Sequence, residues 1–408
     1  MKKYCLLLFL LLGTTYGEDL KTLVSLSTHN ETIQIAKYNN QALQNKYTSM
    51  KRSKLPNVSV GANYANNLEE SISAPANAVS ATLSLNYSLY DGGQQKYSLL
   101  SLEEKMQSSK QNLQALENSI ALQVITHYFN YQSLLASKKS IEKEIQKLKL
   151  NHKKARQFLK ANLSTQDKLS SMEASLESGN LNLHEVDLSI LTLLHQLSNL
   201  TGKQVTISSN SKLKDIQNIT KDTRADIQAL EYNAKDALWS ANASKSASRP
   251  SIRLGNQVAY SSSYYLDNAF SNADNLNNQF TLSLQWTLFD FQASSYNYQS
   301  LYSQYLSSLT NYEYEKKKAT TELDLAHQAY EIAKLKIGSA KARLKASNNA
   351  YASIEKKYQN NIVEQIVYLD ALSSKYNAVS ALENAKNDLE IKKAHIVYQS
   401  GQNLKDYL

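Results

Sequence analysis

Two periodicities share this chain. Short segments alternate apolar and polar residues one by one, and long stretches between them repeat apolar positions every three to four residues. In the first short segment Val58, Val60, Ala62 and Tyr64 alternate with Asn57, Ser59, Gly61 and Asn63. In the second, Leu83, Leu85, Tyr87 and Leu89 alternate with Thr82, Ser84, Asn86 and Ser88. Ile252, Leu254, Val258 and Tyr260 form a third apolar row, interrupted by Asn256, and Phe280, Leu282, Leu284, Trp286 and Leu288 a fourth. Period two gives each strand one apolar and one polar face. The pattern predicts strands over about 57–66, 80–90, 251–261 and 279–289.

These segments belong to an internal duplication. TLSLNYSLYD (82–91) and TLSLQWTLFD (281–290) share six of ten residues at an offset of 199. Upstream, Pro56 and Pro250 open the matching segments LPNVSVGANY and RPSIRLGNQVAY. The chain therefore divides into a first repeat (18–205), a polar connector (206–220) and a second repeat (221–408). Segments of about ten residues suit tilted transmembrane strands. The polar connections Asn66–Val79 and Ser261–Asn277 exceed a tight hairpin and suit the outer loops of a membrane barrel. A soluble hairpin lying on a helical core fits the alternation equally. If the strands do span a membrane, four of them cannot close around a pore. Their edges must then pair with other chains.

The rest of the chain reads as helix. Residues 94–160 hold no Gly or Pro. A heptad-spaced row from Leu102 through Leu113, Ile120, Tyr131 and Ile141 to Leu148 is mostly apolar, a coiled-coil seam. A helix of this length spans ~100 Å, beyond any compact globular domain. The second repeat matches over about 292–358, with Gly338 its one irregularity. Shorter helices are expected over 20–53, 164–202, 221–248 and 363–402, so that helical hairpins run over about 94–202 and 292–402. In each repeat the two short helices can stack end to end beside the long one, giving a rod with a β-patch at one end. The hairpins must reverse at Lys160–Ser164 and Asn360–Val363. Asn tolerates the left-handed region best after Gly, so Asn162 and Asn361, themselves 199 apart, are the expected turn residues.

Composition sharpens this picture. Only 3 Pro occur in 408 residues, against a usual share of about 5%. All three sit at or between strands, which leaves the helices unbroken. Residues 1–17 (MKKYCLLLFLLLGTTYG) join two lysines, an apolar core and small residues at Thr15 and Gly17, the pattern of an export signal cut after Gly17. The only Cys, Cys5, falls inside that segment. The net charge of +9 is scattered rather than clustered, and an exported chain rarely meets nucleic acid, so no nucleic-acid partner is expected. There is no Gly-rich phosphate loop and no zinc motif, and the 7 His are dispersed. His127 and His327 read as packed or lumen-facing. No enzymatic activity and no cofactor are expected.

With these features in place, the chain resembles the TolC-type outer-membrane efflux proteins over essentially its whole length after the export segment. The resemblance rests on the duplication, on Pro before the first strand of each repeat, on LYDGG (89–93) and LFD (288–290), and on ITHYFNYQ (125–132), LHQLSNLTG (194–202) and YLDALSSKYNA (368–378). It implies an α+β membrane protein of the bacterial outer membrane with a periplasmic helical domain. Three chains would form a twelve-stranded barrel and an α-helical tunnel. The implied partners are two more copies of the chain, a periplasmic adaptor, an inner-membrane pump of RND or ABC type, and outer-membrane lipid.

The same resemblance implies a gate. Asp167 and Tyr358 match an acid and a tyrosine that join across helices, and Asp370 matches an acid lining a constriction. A hydroxyl–carboxylate link of that kind contributes about 1.5–3 kcal/mol, and an acid ring favours cations. The turn residues Asn162, Leu163, Ser164, Asn361, Ile362 and Val363 match the adaptor-docking surface. Val367 stands where the family has a second pore acid and Val363 where it has a gating arginine, so a less acidic constriction with fewer links is expected. Asp167 and Asp370 also read as solvated acids near helix starts. Alternatives are the exit duct of a type I protein-secretion system and, in another class, a trimeric coiled-coil surface or structural protein.

Overall fold

The computed structural model describes residues 17–208, 211–216, 223–266 and 271–408. The expected export segment, Gly17 apart, lies outside the described residues, as do parts of the connector. In chain order the elements are α1 (Leu20–Ser27), α2 (Glu31–Arg52), β1 (Asn57–Asn66), β2 (Asn77–Tyr90), α3 (Gln94–Lys160), α4 (Gln166–Thr201), α5 (Ala225–Ser244), β3 (Ser251–Tyr264), β4 (Ala273–Gln285), α6 (Ala293–Gln359) and α7 (Gln365–Gln399). Two compact units cut across the sequence repeats. One draws on the described residues within 1–35, 113–225 and 317–408, and the other on those within 36–112 and 226–316.

The second unit holds an antiparallel sheet in the order β1-β2-β3-β4, so the two repeats meet at the β2–β3 pair. The strands share one register of faces. Val60 lies opposite Leu83, Leu83 opposite Val258, and Leu254 joins Tyr87 to Leu282. All four apolar rows therefore fall on one face and the polar rows on the other. The apolar rows are not covered in the single chain: Val60 is 80% exposed and Phe280 68%.

Several expected boundaries are corrected: β2 begins at Asn77 instead of about 80, and β3 runs on to Tyr264 instead of about 261. The fourth strand runs 273–285 instead of about 279–289, leaving Trp286 and Leu288 outside it. Gln285 pairs with Ser251, the first residue of β3. Beyond it stands Pro250, which has no N–H to extend the ladder, and the Trp286 indole instead donates to the Ser248 carbonyl at 3.2 Å. The expected helix 20–53 is split into α1 and α2. Asn30 breaks it by accepting from Thr32 N–H at 2.8 Å and donating to the carbonyls of Asn199 and Leu200 at the end of α4. This is side-chain capping of a helix start.

Long helices begin on matching devices in the two repeats, with one difference. Asp91 accepts from Gln95 N–H at 2.8 Å and Asp290 from Ser294 N–H at 2.9 Å. Between cap and helix the first repeat places Gly92 and Gly93 at φ 70° and 89°. The second places Phe291 and Gln292 there, at φ 53° and 68°. A side chain in this region costs roughly 1–2 kcal/mol. Gln292→Gly should therefore raise the thermal midpoint by a few degrees, the relief exceeding the added chain entropy of about 0.5–1 kcal/mol. Differential scanning calorimetry of the purified protein checks this.

In the first unit, α1, α2, α3 and α4 bury Leu20, Leu23, Ile33, Ile120, Val124 and Leu197 around Tyr128. Tyr128 donates to the Ser208 carbonyl at 2.9 Å and accepts from Ser211 N–H, anchoring the connector. Leu404, just before the end of the described chain, is fully buried in the same core.

Candidate functional site

The hairpin ends of the first unit carry most of the residues singled out by sequence. Both turns use one backbone device. At the end of α3, Asn162 N–H donates to the Leu159 carbonyl and Leu163 N–H to the Phe158 carbonyl at 2.8 Å. At the end of α6, Asn361 N–H donates to the Tyr358 carbonyl and Ile362 N–H to the Lys357 carbonyl at 2.8 Å. Asn162 and Asn361 have φ of 56° and 57°. These are Schellman closures with Asn in the left-handed position. They leave Leu163 and Ile362 outside, 75% and 67% exposed, beside Ser164 and Val363. The turns lie side by side: the Gln365 amide donates to the Lys168 carbonyl at 2.8 Å, and one cavity is lined by Phe158, Leu163, Tyr358, Ile362, Val363 and Tyr368.

Behind the turns sits a tyrosine cluster. Tyr368 on α7 is 2% exposed. Its ring stacks on Tyr358 of α6 at 4.5 Å, and its hydroxyl accepts from Asn151 of α3 at 2.6 Å. Tyr351, one heptad before Tyr358, packs at 6.1 Å and donates to Glu355 at 2.7 Å. Glu355 also pairs with Lys147 of α3 at 3.4 Å, and the Lys375 ammonium lies 4.2 Å over the Tyr351 ring. Burial, then the Glu355 acceptor, pushes the Tyr351 hydroxyl far above the phenol range. Burial pushes the Lys375 ammonium down, against the pull of Glu355.

Tyr358 is thus engaged, but not with Asp167. No hydrogen bond joins the two among the described residues. Asp167 is exposed in the first turn of α4, where the Thr165 side chain holds its carboxyl below the usual range. Asp370 is exposed on α7 in line with Ile366 and Val367, which are 63% and 43% exposed. Tyr368, the hub of the cluster, was not singled out by sequence, although it opens the YLDALSSKYNA stretch. His327 is exposed, whereas His127 is half-buried with Nδ1 unpartnered, and burial pushes its pKa down.

Partial burial raises the Glu355 carboxyl, but the Tyr351 hydroxyl and Lys147 outweigh it and hold the group below its usual range. A depressed carboxyl stabilises the fold above the unfolded glutamate pKa of about 4.3 and loses that contribution as the pH falls. The cluster should therefore loosen on acidification through that range. Glu355→Gln should flatten the response, read as near-UV tyrosine dichroism against pH.

The sequence profile described as outer membrane efflux protein matches residues 23–203 and 218–401, both repeats of the chain. The chain belongs to the outer membrane efflux protein family. As a member it is a channel protein of the outer membrane and not an enzyme. No helix among the described residues is long and apolar enough to cross a membrane.

The fold recurs in solved outer-membrane channels. The Campylobacter jejuni CmeC outer membrane channel is 19% identical, with 94% of this chain and 86% of that one covered at a TM-score of 0.81. The outer membrane protein VceC from Vibrio cholerae is 16% identical over 94% of this chain and 96% of that one, at 0.78. The open state of the Neisseria gonorrhoeae MtrE outer membrane channel is 18% identical over 94% and 89%, at 0.79. At these identities the likeness shows the shared fold. No curated protein matches the chain.

Proposed function

We propose that three copies of this chain form the outer-membrane exit duct of a tripartite efflux system. The observation that carries this reading is the sheet: one continuous apolar face, one polar face, and two unpaired edges in β1 and β4. In a bilayer an open edge leaves backbone groups unsatisfied. Pairing β1 of one copy with β4 of the next closes twelve strands from three four-stranded sheets. The apolar rows then face lipid, and the polar rows line the lumen.

The hairpin ends are the docking surface in this account. Leu163 and Ile362 with Asn162, Ser164, Asn361 and Val363 engage a periplasmic adaptor, behind which an RND- or ABC-type inner-membrane pump supplies substrate. Ile366, Val367 and Asp370 line the constriction. Apolar side chains there favour closure by dewetting over a purely acidic ring. Asp167 and Tyr358 belong to the same gate. Tyr358 acts through its stack on Tyr368, and Asp167, exposed in the single chain, is open to a partner across helices in the trimer.

The test is photocrosslinking from Leu163 and Ile362 in cells, paired with dye accumulation in a strain lacking the protein. A crosslinked periplasmic adaptor and raised accumulation are expected. Crosslinks confined to other copies of the chain, with unchanged accumulation, would overturn the assignment. An unchanged dye level with loss of one secreted protein from the medium would instead favour a type I secretion duct.

A further inference from the structure

The polar face of the sheet carries one charge. On that face lie Asn57, Ser59, Gly61 and Asn63 of β1, Ser80 to Ser88 of β2, Ser251 to Ser263 of β3, and Asn275 to Gln285 of β4, taking alternate residues. Every one is neutral except Arg253. The only other charged residue in the four strands, Asp274, has the register of the apolar face and lies at the loop end of β4. Arg253 is exposed, sits between Ser88 and Ser283, and lines a concavity with Asn57, Asn86, Gln257 and Gln279. No ion pair or side-chain hydrogen bond engages its guanidinium among the described residues.

Its surroundings reinforce the sign. Lys51 and Arg52 close α2, Lys54 lies between it and β1, and Lys245 and Arg249 precede β3. The acids of the same junction, Asp91 and Asp290, are taken up by helix starts. The Arg249 guanidinium donates to the Gly92 carbonyl at 3.1 Å, whereas Arg253 stays open to the concave face.

We infer that Arg253 makes the barrel segment of the duct anion-selective, favouring solutes that carry carboxylate, sulfate or phosphate groups. This rests on the trimeric barrel proposed above. Twelve strands at about 4.8 Å spacing and a tilt near 40° give a radius of about 12 Å. Three guanidinium groups at that distance, facing no carboxylate, enrich anions several-fold on the axis in dilute salt. The Debye length of about 8 Å at physiological ionic strength weakens the effect, and about 3 Å at 1 M abolishes it. The selectivity is therefore a property of the barrel and opposite in sign to an acidic constriction at the hairpin ends.

A local probe tests it whatever the state of the gate. Gln257→Cys places a thiol on the same face of β3, in a chain whose only other cysteine is Cys5. Modification by anionic and cationic methanethiosulfonates is timed in intact outer membranes, with the unsubstituted chain as background. The anionic reagent should react faster, and Arg253→Gln should lower the anion-to-cation rate ratio about tenfold in 10 mM salt, since anions lose about threefold enrichment and cations about threefold depletion, the difference vanishing at 1 M. A ratio that Arg253→Gln leaves unchanged overturns the inference. Failure of the barrel reading shows separately: Leu83→Cys, on the apolar face, would then react with these water-borne reagents as fast as Gln257→Cys.

Discussion

Replacing Tyr368 with alanine should destabilise the hairpin ends by about 3–5 kcal/mol, the range for removing a large buried aromatic. Three contacts vanish together: the stack on Tyr358 at 4.5 Å, the bond from Asn151 at 2.6 Å and the tilted ring of Tyr351 at 6.1 Å. Asn151 keeps its desolvation without its acceptor. Tyr368→Phe keeps the ring and loses only the hydroxyl, which should cost about 0.5–1.5 kcal/mol. Because Tyr368 ties α7 to α3 and α6, the alanine variant should also leak. Its single-channel conductance in planar bilayers should rise while the phenylalanine variant stays near the parent. Equal thermal shifts for the two variants would show that the stack contributes little.

The second large effect separates the faces of the sheet. Leu83 and Ser84 are neighbours in mid-β2, with Leu83 between Val60 and Val258 and Ser84 between Ser59 and Gln257. If the apolar rows meet lipid, Leu83→Arg places a charge near the bilayer midplane and costs about 2–4 kcal/mol per chain. Ser84→Arg turns into the aqueous lumen and should cost a small fraction of that. Leu83→Arg should therefore abolish assembled protein in outer-membrane fractions at a level of expression where Ser84→Arg assembles normally. Similar yields for both would mean that the sheet has no lipid-facing side.

Much of this architecture is legible in the sequence because its signals are periodic. Alternation in Val58–Tyr64 and Leu83–Leu89 marks strands and their faces, and the 199-residue offset marks the duplication. The positions of Asn162 and Asn361 follow from the few residues that accept a left-handed φ. What alternation cannot supply is register. Ser261, Ser262 and Ser263 look like loop, yet they continue β3 because Asn275, Asp274 and Ala273 pair with them. The early end of β4 depends on Pro250, just before the neighbouring strand.

The left-handed pair Phe291–Gln292 was not anticipated from the sequence. The repeat offset places both residues on Gly92 and Gly93, and only a comparison of the two copies reveals it. At the hairpin ends, family resemblance points to Tyr358 and assigns it the partner Asp167. A partner, however, is a property of packing. Here the ring of Tyr368, ten residues on and across a turn, fills the space beside Tyr358, and Asp167 stays in solvent.

The central claim is that the unpaired edges β1 and β4 meet in a closed ring of three chains. Native mass spectrometry of the protein gently extracted from outer-membrane fractions measures this directly. A dominant species of three times the chain mass, after removal of the export segment, and no stable monomer are expected. A monomer recovered from the soluble periplasmic fraction would contradict it.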